Sequence, residues 1–335
     1  MPIKIGINGF GRVGRSSFRF ASRQPEVEIV AVNDLADAAA NAQWLQYDSI
    51  YGAYPGQVKV EAGKIEVDGR VTKIFAEKDP AQIPWGDLGV DVVIETAGEL
   101  RDRAAAEACR QAGVKKVIIA APAKEADITV VLGVNEEKYD PARHHIIAGA
   151  SSTMNCLAPA AKVLNDAFGI AKGMVTAIHS DTNDHDILDI AHNDWRRDRA
   201  ASLSIVPAAT DVAAKLGDVI PELDGKLNGF AMRVPTPAVS TLDFVAELAT
   251  EASVDAVNEA YRAAAQGRMK GYLAVSDEPL VSVDFRGNPF SCVVDAPMTM
   301  AIGGNLIKVI TWYDNEWAYA CRLLDLAVYS MGQGK

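Results

Sequence analysis

Ile3-Lys4-Ile5-Gly6-Ile7-Asn8-Gly9-Phe10-Gly11-Arg12-Val13-Gly14 is a short apolar strand that runs straight into glycines spaced GxGxxG. The spacing alone is a weak signal, and its surroundings give it weight. A helical stretch follows, Arg15 to Arg23, and then a second apolar strand, Glu28-Ile29-Val30-Ala31-Val32, ends in Asn33-Asp34. Asp34 lies about 20 residues beyond the last glycine, as a dinucleotide-binding βαβ unit requires. Gly9 and Gly11 let the backbone approach a pyrophosphate at the helix N-terminus, next to Arg12 and Val13. Asp34 can accept the adenosine ribose hydroxyls. Leu35-Ala36-Asp37 provides no arginine for a 2′-phosphate, and Asp34 repels one, so the expected cofactor is NAD and not NADP.

Downstream, Ala38 to Tyr47 reads as a helix. Segments 58–61, 64–67 and 71–75 read as small antiparallel strands inserted into the nucleotide fold. Val90 to Glu95 is another buried strand, closed by Thr96-Ala97-Gly98 where a cofactor would lie. Arg101 to Ala112 is helical, and short apolar strands follow at 117–120, 128–132 and 145–147. Strands alternating with helices give an α/β fold with a doubly wound, mostly parallel (Rossmann) sheet. Beyond residue 150 the pattern changes to longer alternating strands at 173–179, 229–235, 241–249, 280–285 and 306–312, with a helix at 254–266. This is a second, α+β domain on a mostly antiparallel sheet. The expected division is 1–150 with the final helix, 316–335, against 151–315.

The 335 residues exceed one ordinary core. With 49% hydrophobic and 23% charged residues, the balance is that of a folded globular chain. A net charge of −11 argues against a general nucleic-acid binder, although local basic patches can hold anionic substrates. No apolar run reaches membrane-spanning length and Met1 leads directly into a strand, so a cytoplasmic location is expected. Cys109, Cys156, Cys292 and Cys321 have no CxxC spacing, so neither a metal site nor a disulfide framework is expected.

The border between the two patterns falls on Ala148-Gly149-Ala150-Ser151-Ser152-Thr153-Met154-Asn155-Cys156, a strand-to-helix junction. The first turn of such a helix carries unpaired N–H groups and a positive dipole end. Hydroxyls there suit an anion or a nucleophile, although a Ser/Thr cluster is also an ordinary N-cap. The long polar segment between His179 and Ile205 suits a functional or interface role.

Lys4-Ile5-Gly6-Ile7-Asn8-Gly9-Phe10-Gly11-Arg12, Asn155-Cys156-Leu157-Ala158-Pro159, Met232-Arg233-Val234-Pro235-Thr236-Pro237 and Trp312-Tyr313-Asp314-Asn315-Glu316-Trp317 together resemble the phosphorylating glyceraldehyde-3-phosphate dehydrogenases. The resemblance covers essentially the full length. Leu280-Val281-Ser282-Val283-Asp284-Phe285 is equally similar to the erythrose-4-phosphate dehydrogenases. The resemblance implies NAD, a phosphorylated aldose and inorganic phosphate as small-molecule partners, and a homotetramer. It also implies that Arg12, Val13, Asp34, Lys78, Thr96, Ala120 and Asn315 hold NAD, with Asn315 at the nicotinamide amide. His179 matches the base, Thr182, Asp184, Arg197 and Arg233 surround the substrate phosphate, and Ser151, Thr153 and Thr210 surround the attacking phosphate.

The chain departs from the family where the chemistry is most demanding. Ser152 stands at the position of the catalytic cysteine. A thiol titrates near 8.5 and falls further beside a histidine and a helix N-terminus, whereas a serine hydroxyl ionises far higher and gives a less reactive ester. Cys156, one helical turn further in, reads as a packing residue. Asp211 replaces a glycine beside the attacking phosphate and opposes it unless a nearby cation compensates. Asp181 replaces an aromatic residue, and Ala97, Ala120 and Gly149 replace polar ones. The first reading is a sugar-phosphate aldehyde dehydrogenase with its nucleophile replaced by design. The alternatives are an erythrose-4-phosphate type enzyme releasing a free acid, and a catalytically silent NAD-binding paralogue.

Overall fold

Two periodicities in the chain build two large sheets. The computed structural model describes residues 1–61, 63–79, 82–98, 103–123, 125–182, 187–189 and 194–332. The chain divides into one unit of Met1–Val130, Glu136–Ser151 and Tyr319–Lys335 and a second of Val131–Asn135 and Ser152–Ala318.

The first unit runs β1 (Ile3–Asn8), α1 (Arg12–Ala21), β2 (Val27–Asn33), α2 (Ala38–Gln46), a small hairpin of β3 (Tyr47–Asp48) and β4 (Gly52–Ala53), then β5 (Val58–Glu61), β6 (Lys64–Val67), β7 (Arg70–Phe75), β8 (Val92–Glu95), α3 (Arg103–Gln111), β9 (Lys116–Ile119), β10 (Ile128–Thr129) and β11 (Ile146–Ala148). Nine of these strands form one sheet in the order β10-β11-β9-β8-β1-β2-β7-β6-β5. Every residue of β8, β9 and β11 is buried, as befits parallel strands covered on both faces. The segments expected as small antiparallel strands inserted into the nucleotide fold extend this sheet: β6 and β5 run antiparallel as expected, whereas β7 lies parallel to β2. Thr72 explains the docking, because its buried hydroxyl donates to the Ile29 carbonyl at 2.9 Å. The strand order reverses at β1, which has β2 on one side and β8 on the other. Ligands of open α/β sheets bind at the carboxyl ends of such strands, here Asn8, Asn33 and Glu95.

The second unit contains α4 (Ser152–Phe168), β12 (Ile170–His179), β13 (Val206–Ala208), β14 (Leu227–Arg233), β15 (Ser240–Leu248), α5 (Val254–Gln266), β16 (Leu273–Ser276), β17 (Cys292–Asp295), β18 (Met300–Ile302) and β19 (Leu306–Tyr313). The last helix, α6 (Trp317–Ser330), starts here, and from Tyr319 onward it belongs to the first unit. The sheet order is β13-β14-β12-β15-β19-β17-β16, with β18 on β19. It is mostly antiparallel, with parallel pairs at β12–β14 and β16–β17. Along β15 every second residue is buried, so one face carries the core, and α4 packs against this strand. Tyr261 of α5 ties the two long helices together by donating to the Ala160 carbonyl at 2.9 Å. The strand expected at 280–285 is instead a 3-10 turn, Ser282–Phe285. There the Asp284 carboxylate takes the Val281 N–H at 2.9 Å, so a local side-chain bond displaces a ladder bond. All four cysteines are buried and free, and no helix among the described residues is long and apolar enough to cross a membrane.

Candidate functional site

In the first unit the glycine turn has the geometry that a dinucleotide needs. Gly9 has φ +91°, and a Cβ there would lie 2.5 Å from the Ala97 backbone nitrogen. A Cβ on Gly14 would lie 2.2 Å from the Gly9 carbonyl oxygen, so α1 packs directly on the turn. A Cβ on Gly11 would meet nothing within 4 Å. Gly11 is the N-cap of α1 and no side chain caps it, which leaves the positive end of the helix facing this open side beside Arg12 and Val13.

Asp34, at the end of β2, accepts the Phe10 N–H at 2.7 Å and the Ala36 N–H at 3.0 Å. Its carboxylate is thereby fixed beside the turn, with Leu35 exposed next to it. These residues fit a dinucleotide with a free ribose 2′-hydroxyl. The Arg12 guanidinium is bonded to the buried Asp48 carboxylate at 2.6 Å and lies near the Tyr51 ring. Burial opposes ionisation of Asp48, but the Tyr51 and Ile50 N–H groups and Arg12 outweigh it and bring its pKa below the usual carboxylate value. The Thr96 hydroxyl donates to the Gly9 carbonyl at 2.5 Å and so closes the turn from beneath. Ala120 follows β9 half-buried, and Lys78 is exposed in the bend after β7.

One polar residue was missed by sequence reasoning. Glu95 ends the apolar run Val92-Val93-Ile94, and its buried carboxylate accepts from the Asn8 amide and from the Ala97 N–H at 2.7 Å. Asn8 in turn accepts from Asn33 at 2.7 Å, which joins the ends of β8, β1 and β2. Burial raises the Glu95 pKa to about 7, against the two hydrogen bonds that favour its carboxylate. A lone acid inside an apolar strand was the available signal.

In the second unit the junction residues behave as a strained turn followed by a helix. Ala150, with φ +58°, and half-buried Ser151 close the preceding unit, and Ser152 is the first residue of α4. The Ser152 hydroxyl is half-buried and makes no hydrogen bond among the described residues. Thr153 is buried and its hydroxyl pairs with the Tyr313 phenol at 3.0 Å, while the Tyr313 ring meets the His179 ring edge-on at 6.2 Å. Burial raises the Tyr313 pKa well above its ordinary value, so it is a neutral wall beside the imidazole.

The parallel pairing of β12 with β14 sets His179 directly beside Arg233. The Arg233 guanidinium lies 2.7 Å from His179 Nδ1, and the same nitrogen of Arg233 reaches the Thr182 hydroxyl at 3.3 Å. Next to them, the Ser180 hydroxyl donates to Asn315 Oδ1 at 2.7 Å, and Ser240 supports it. The bonded Oδ1 leaves the Asn315 Nδ2 as a donor without a partner among the described residues. Val239, a buried β-branched residue with φ +69°, precedes Ser240, a strained position of the kind held where geometry must be fixed.

Other expected site residues lie on the segment between β12 and β14. Arg197 is half-buried in the turn closed by its N–H to the Asp194 carbonyl, and Asp184 lies outside the described residues. Thr210 caps the Val212 N–H at 3.3 Å. Among the described residues, Thr210 and Asp211 bond only within their own turn. Asp211 is not an isolated charge, because the Lys215 ammonium one helical turn later is bonded to its carboxylate.

Comparisons with known proteins match both parts of the chain. The family model described as glyceraldehyde 3-phosphate dehydrogenase, NAD binding domain, matches residues 3–103, and that described as glyceraldehyde 3-phosphate dehydrogenase, C-terminal domain, matches residues 151–315. The chain is 53% identical over 334 residues to glyceraldehyde-3-phosphate dehydrogenase of Geobacillus stearothermophilus, covering 100% of both. It is 54% identical over 334 residues to glyceraldehyde-3-phosphate dehydrogenase 1 of Bacillus subtilis, again covering 100% of both. Glyceraldehyde-3-phosphate dehydrogenase of Streptomyces coelicolor is 50% identical over 331 residues, 98% of each chain.

Proposed function

Because the chain belongs to the glyceraldehyde-3-phosphate dehydrogenase family and is by that membership an NAD-dependent oxidoreductase, we propose that it takes glyceraldehyde 3-phosphate and inorganic phosphate toward an acyl phosphate, with Ser152 holding the rate low. The observation that carries this reading is the joining of His179, Arg233, Thr182 and Thr153 by short contacts in the unit whose first helix begins at Ser152.

NAD, when bound, supplies the hydride acceptor; its pyrophosphate suits the glycine turn and its ribose suits Asp34. The chain's own residues then perform distinct tasks. Arg233 and Thr182 bind the substrate phosphate, for which an arginine fork is matched in charge and geometry. The N–H groups at the start of α4 face the oxygen that gains charge when the residue at 152 adds to the aldehyde carbon. His179 takes the proton released as that adduct is oxidised. A thiolate at 152 would leave readily when phosphate attacks the acyl group, whereas a serine ester is the poorer electrophile, and serine is the weaker nucleophile in the first place. This consequence is the same whether Ser152 was introduced or inherited.

Lys215 offsets the charge of Asp211, which supports inorganic phosphate over water as the acyl acceptor and so disfavours the free-acid alternative. Exposed Trp195, Leu203 and Ile205 support assembly with further copies, and the homotetramer and the cytoplasmic location belong to this proposal through the family resemblance alone. Replacing Ser152 by cysteine separates this reading from a silent NAD-binding protein, because only an otherwise complete site will gain activity.

A further inference from the structure

Glu95 lies between two donors whose directions are fixed by the backbone at both ends. At one end the Ala97 N–H, which can only donate, meets Glu95 Oε1 at 2.7 Å. At the other end Glu77 presents both of its backbone groups to Asn33. The Glu77 N–H donates to Asn33 Oδ1 at 2.8 Å, and the Glu77 carbonyl accepts from Asn33 Nδ2 at 2.9 Å. That orients the Asn33 amide, whose Nδ2 also donates to Asn8 Oδ1 at 2.7 Å. Asn8 must therefore turn its Nδ2 toward Glu95 Oε2, to which it is bonded. Both Glu95 oxygens face donors, and a carboxylate is the group that accepts at both.

This relay braces the cofactor turn from two sides. A Cβ on Gly9 would lie 2.5 Å from the Ala97 nitrogen, so the peptide that Glu95 holds is packed against the turn, and Thr96 bonds the Gly9 carbonyl from the same segment. On the other side the Asn33 carbonyl accepts the Gly9 N–H at 2.8 Å, while its side chain holds Glu77, next to exposed Lys78. Asn8, Asn33 and Glu95 are all buried. Among the described residues no charged side chain is bonded to Glu95. Cys109 of α3 is close enough to feel its charge, and burial, then Glu95 and Asp79, push that thiol up to about 12, so it stays neutral. Asp34, beside Asn33, has its carboxylate on the Phe10 N–H.

We propose that Glu95 is a positioning residue for NAD: as a carboxylate it accepts from Asn8 and Ala97 together, and this double acceptance holds the Gly9 turn and the Glu77 segment in the arrangement that binds the dinucleotide. A neutral acid or a glutamine brings a hydrogen of its own to a place where both partners already donate, and the relay breaks at one end. The proposal rests on the NAD dependence of the family and not on the reaction proposed at Ser152.

The test is the affinity for NAD, read by calorimetry without turnover. Glu95→Gln should weaken NAD about fivefold at about pH 8, the scale of one lost internal hydrogen bond. Removing a negative charge from a unit that takes an anionic pyrophosphate would on its own tighten binding, so the sign separates the two effects. Adding Asn8→Asp to Glu95→Gln should restore the affinity. The glutamine oxygen then takes the Ala97 N–H, its amide donates to the new aspartate, and the aspartate accepts from Asn33, so the relay is complete with its charge moved by one residue. In the unaltered chain the affinity should fall about threefold from about pH 8 to about pH 6, because burial raises Glu95 to about 7, and Glu95→Gln should remove that slope. Equal or tighter binding by Glu95→Gln, or a double variant no better than Glu95→Gln, overturns the proposal. So does a pH slope that is absent from the unaltered chain or survives in Glu95→Gln, and if the variants do not fold, the slope of the unaltered chain decides alone. None of these readings depends on Ser152→Cys, so the positioning role and the proposed reaction fail separately.

Discussion

Asn8 and Glu95 end neighbouring parallel strands directly opposite each other, and the Asn8 amide donates to the Glu95 carboxylate in the interior of the cofactor-binding unit. Burial holds Glu95 at about 7, well above the 4.5 of a free glutamate. An acid raised in this way stabilises the fold while the solution is below the unfolded value, and the contribution is lost as pH rises between the two. The chain should lose on the order of 3 kcal/mol relative to Glu95→Gln between about pH 4.5 and about pH 7. Urea unfolding of both proteins across that range measures this, and a constant difference would show that Glu95 titrates normally.

Asp127 should show the opposite dependence. Partial burial opposes its ionisation, but the Ile146 and His145 N–H groups and Arg103 overcome that and lower its pKa to about 2. Its contribution is present above the unfolded value of 3.8 and disappears as pH falls toward 2. Asp127→Asn should lower the thermal midpoint at pH 7, and the two melting curves should converge in acid. Equal separation at every pH would contradict the assignment.

Asp34 should set the choice of cofactor. NAD is expected to bind much more tightly than NADP, and Asp34→Ala should weaken NAD by about tenfold or more through loss of a charged acceptor, about 1.5–3 kcal/mol. The same substitution should narrow the gap to NADP. Calorimetry with both cofactors decides, and comparable dissociation constants for the unaltered chain would count against this role.

Lys215 should protect the phosphate acceptor site from Asp211. In a Ser152→Cys background, Lys215→Ala should raise the apparent KM for inorganic phosphate, and adding Asp211→Gly should restore it. A rate independent of phosphate in all three proteins would point to release of a free acid.

How much of this was legible in the sequence follows from how local each cause is. The β1 turn and Asp34 could be read because the glycines and the acid act through backbone geometry within one βαβ unit. Residues 280–285 looked like a strand because Val281, Val283 and Phe285 alternate, yet Val281 and Val283 are exposed and Asp284 turns the chain back on itself. The actual strands, β16 and β17, are four residues each and too short for periodicity to single out. The pairing of His179 with Arg233 depends on β14 lying parallel to β12 across a connection of almost fifty residues, which no local pattern encodes. Lys215 as the partner of Asp211 was visible as an i,i+4 pair, but only once that turn was seen to be helical.

In the function proposed above, Ser152 is the missing part of an otherwise assembled oxidoreductase. Formation of NADH from glyceraldehyde 3-phosphate, NAD and inorganic phosphate should therefore be compared between the chain and Ser152→Cys. A rise of several powers of ten is expected, on the scale of losing or regaining a covalent catalyst. The regained activity should disappear with a thiol alkylator and with His179→Gln, while NAD affinity stays nearly unchanged. No NADH from Ser152→Cys, with NAD binding intact, would rule out this role for Ser152 and leave a binding protein in its place.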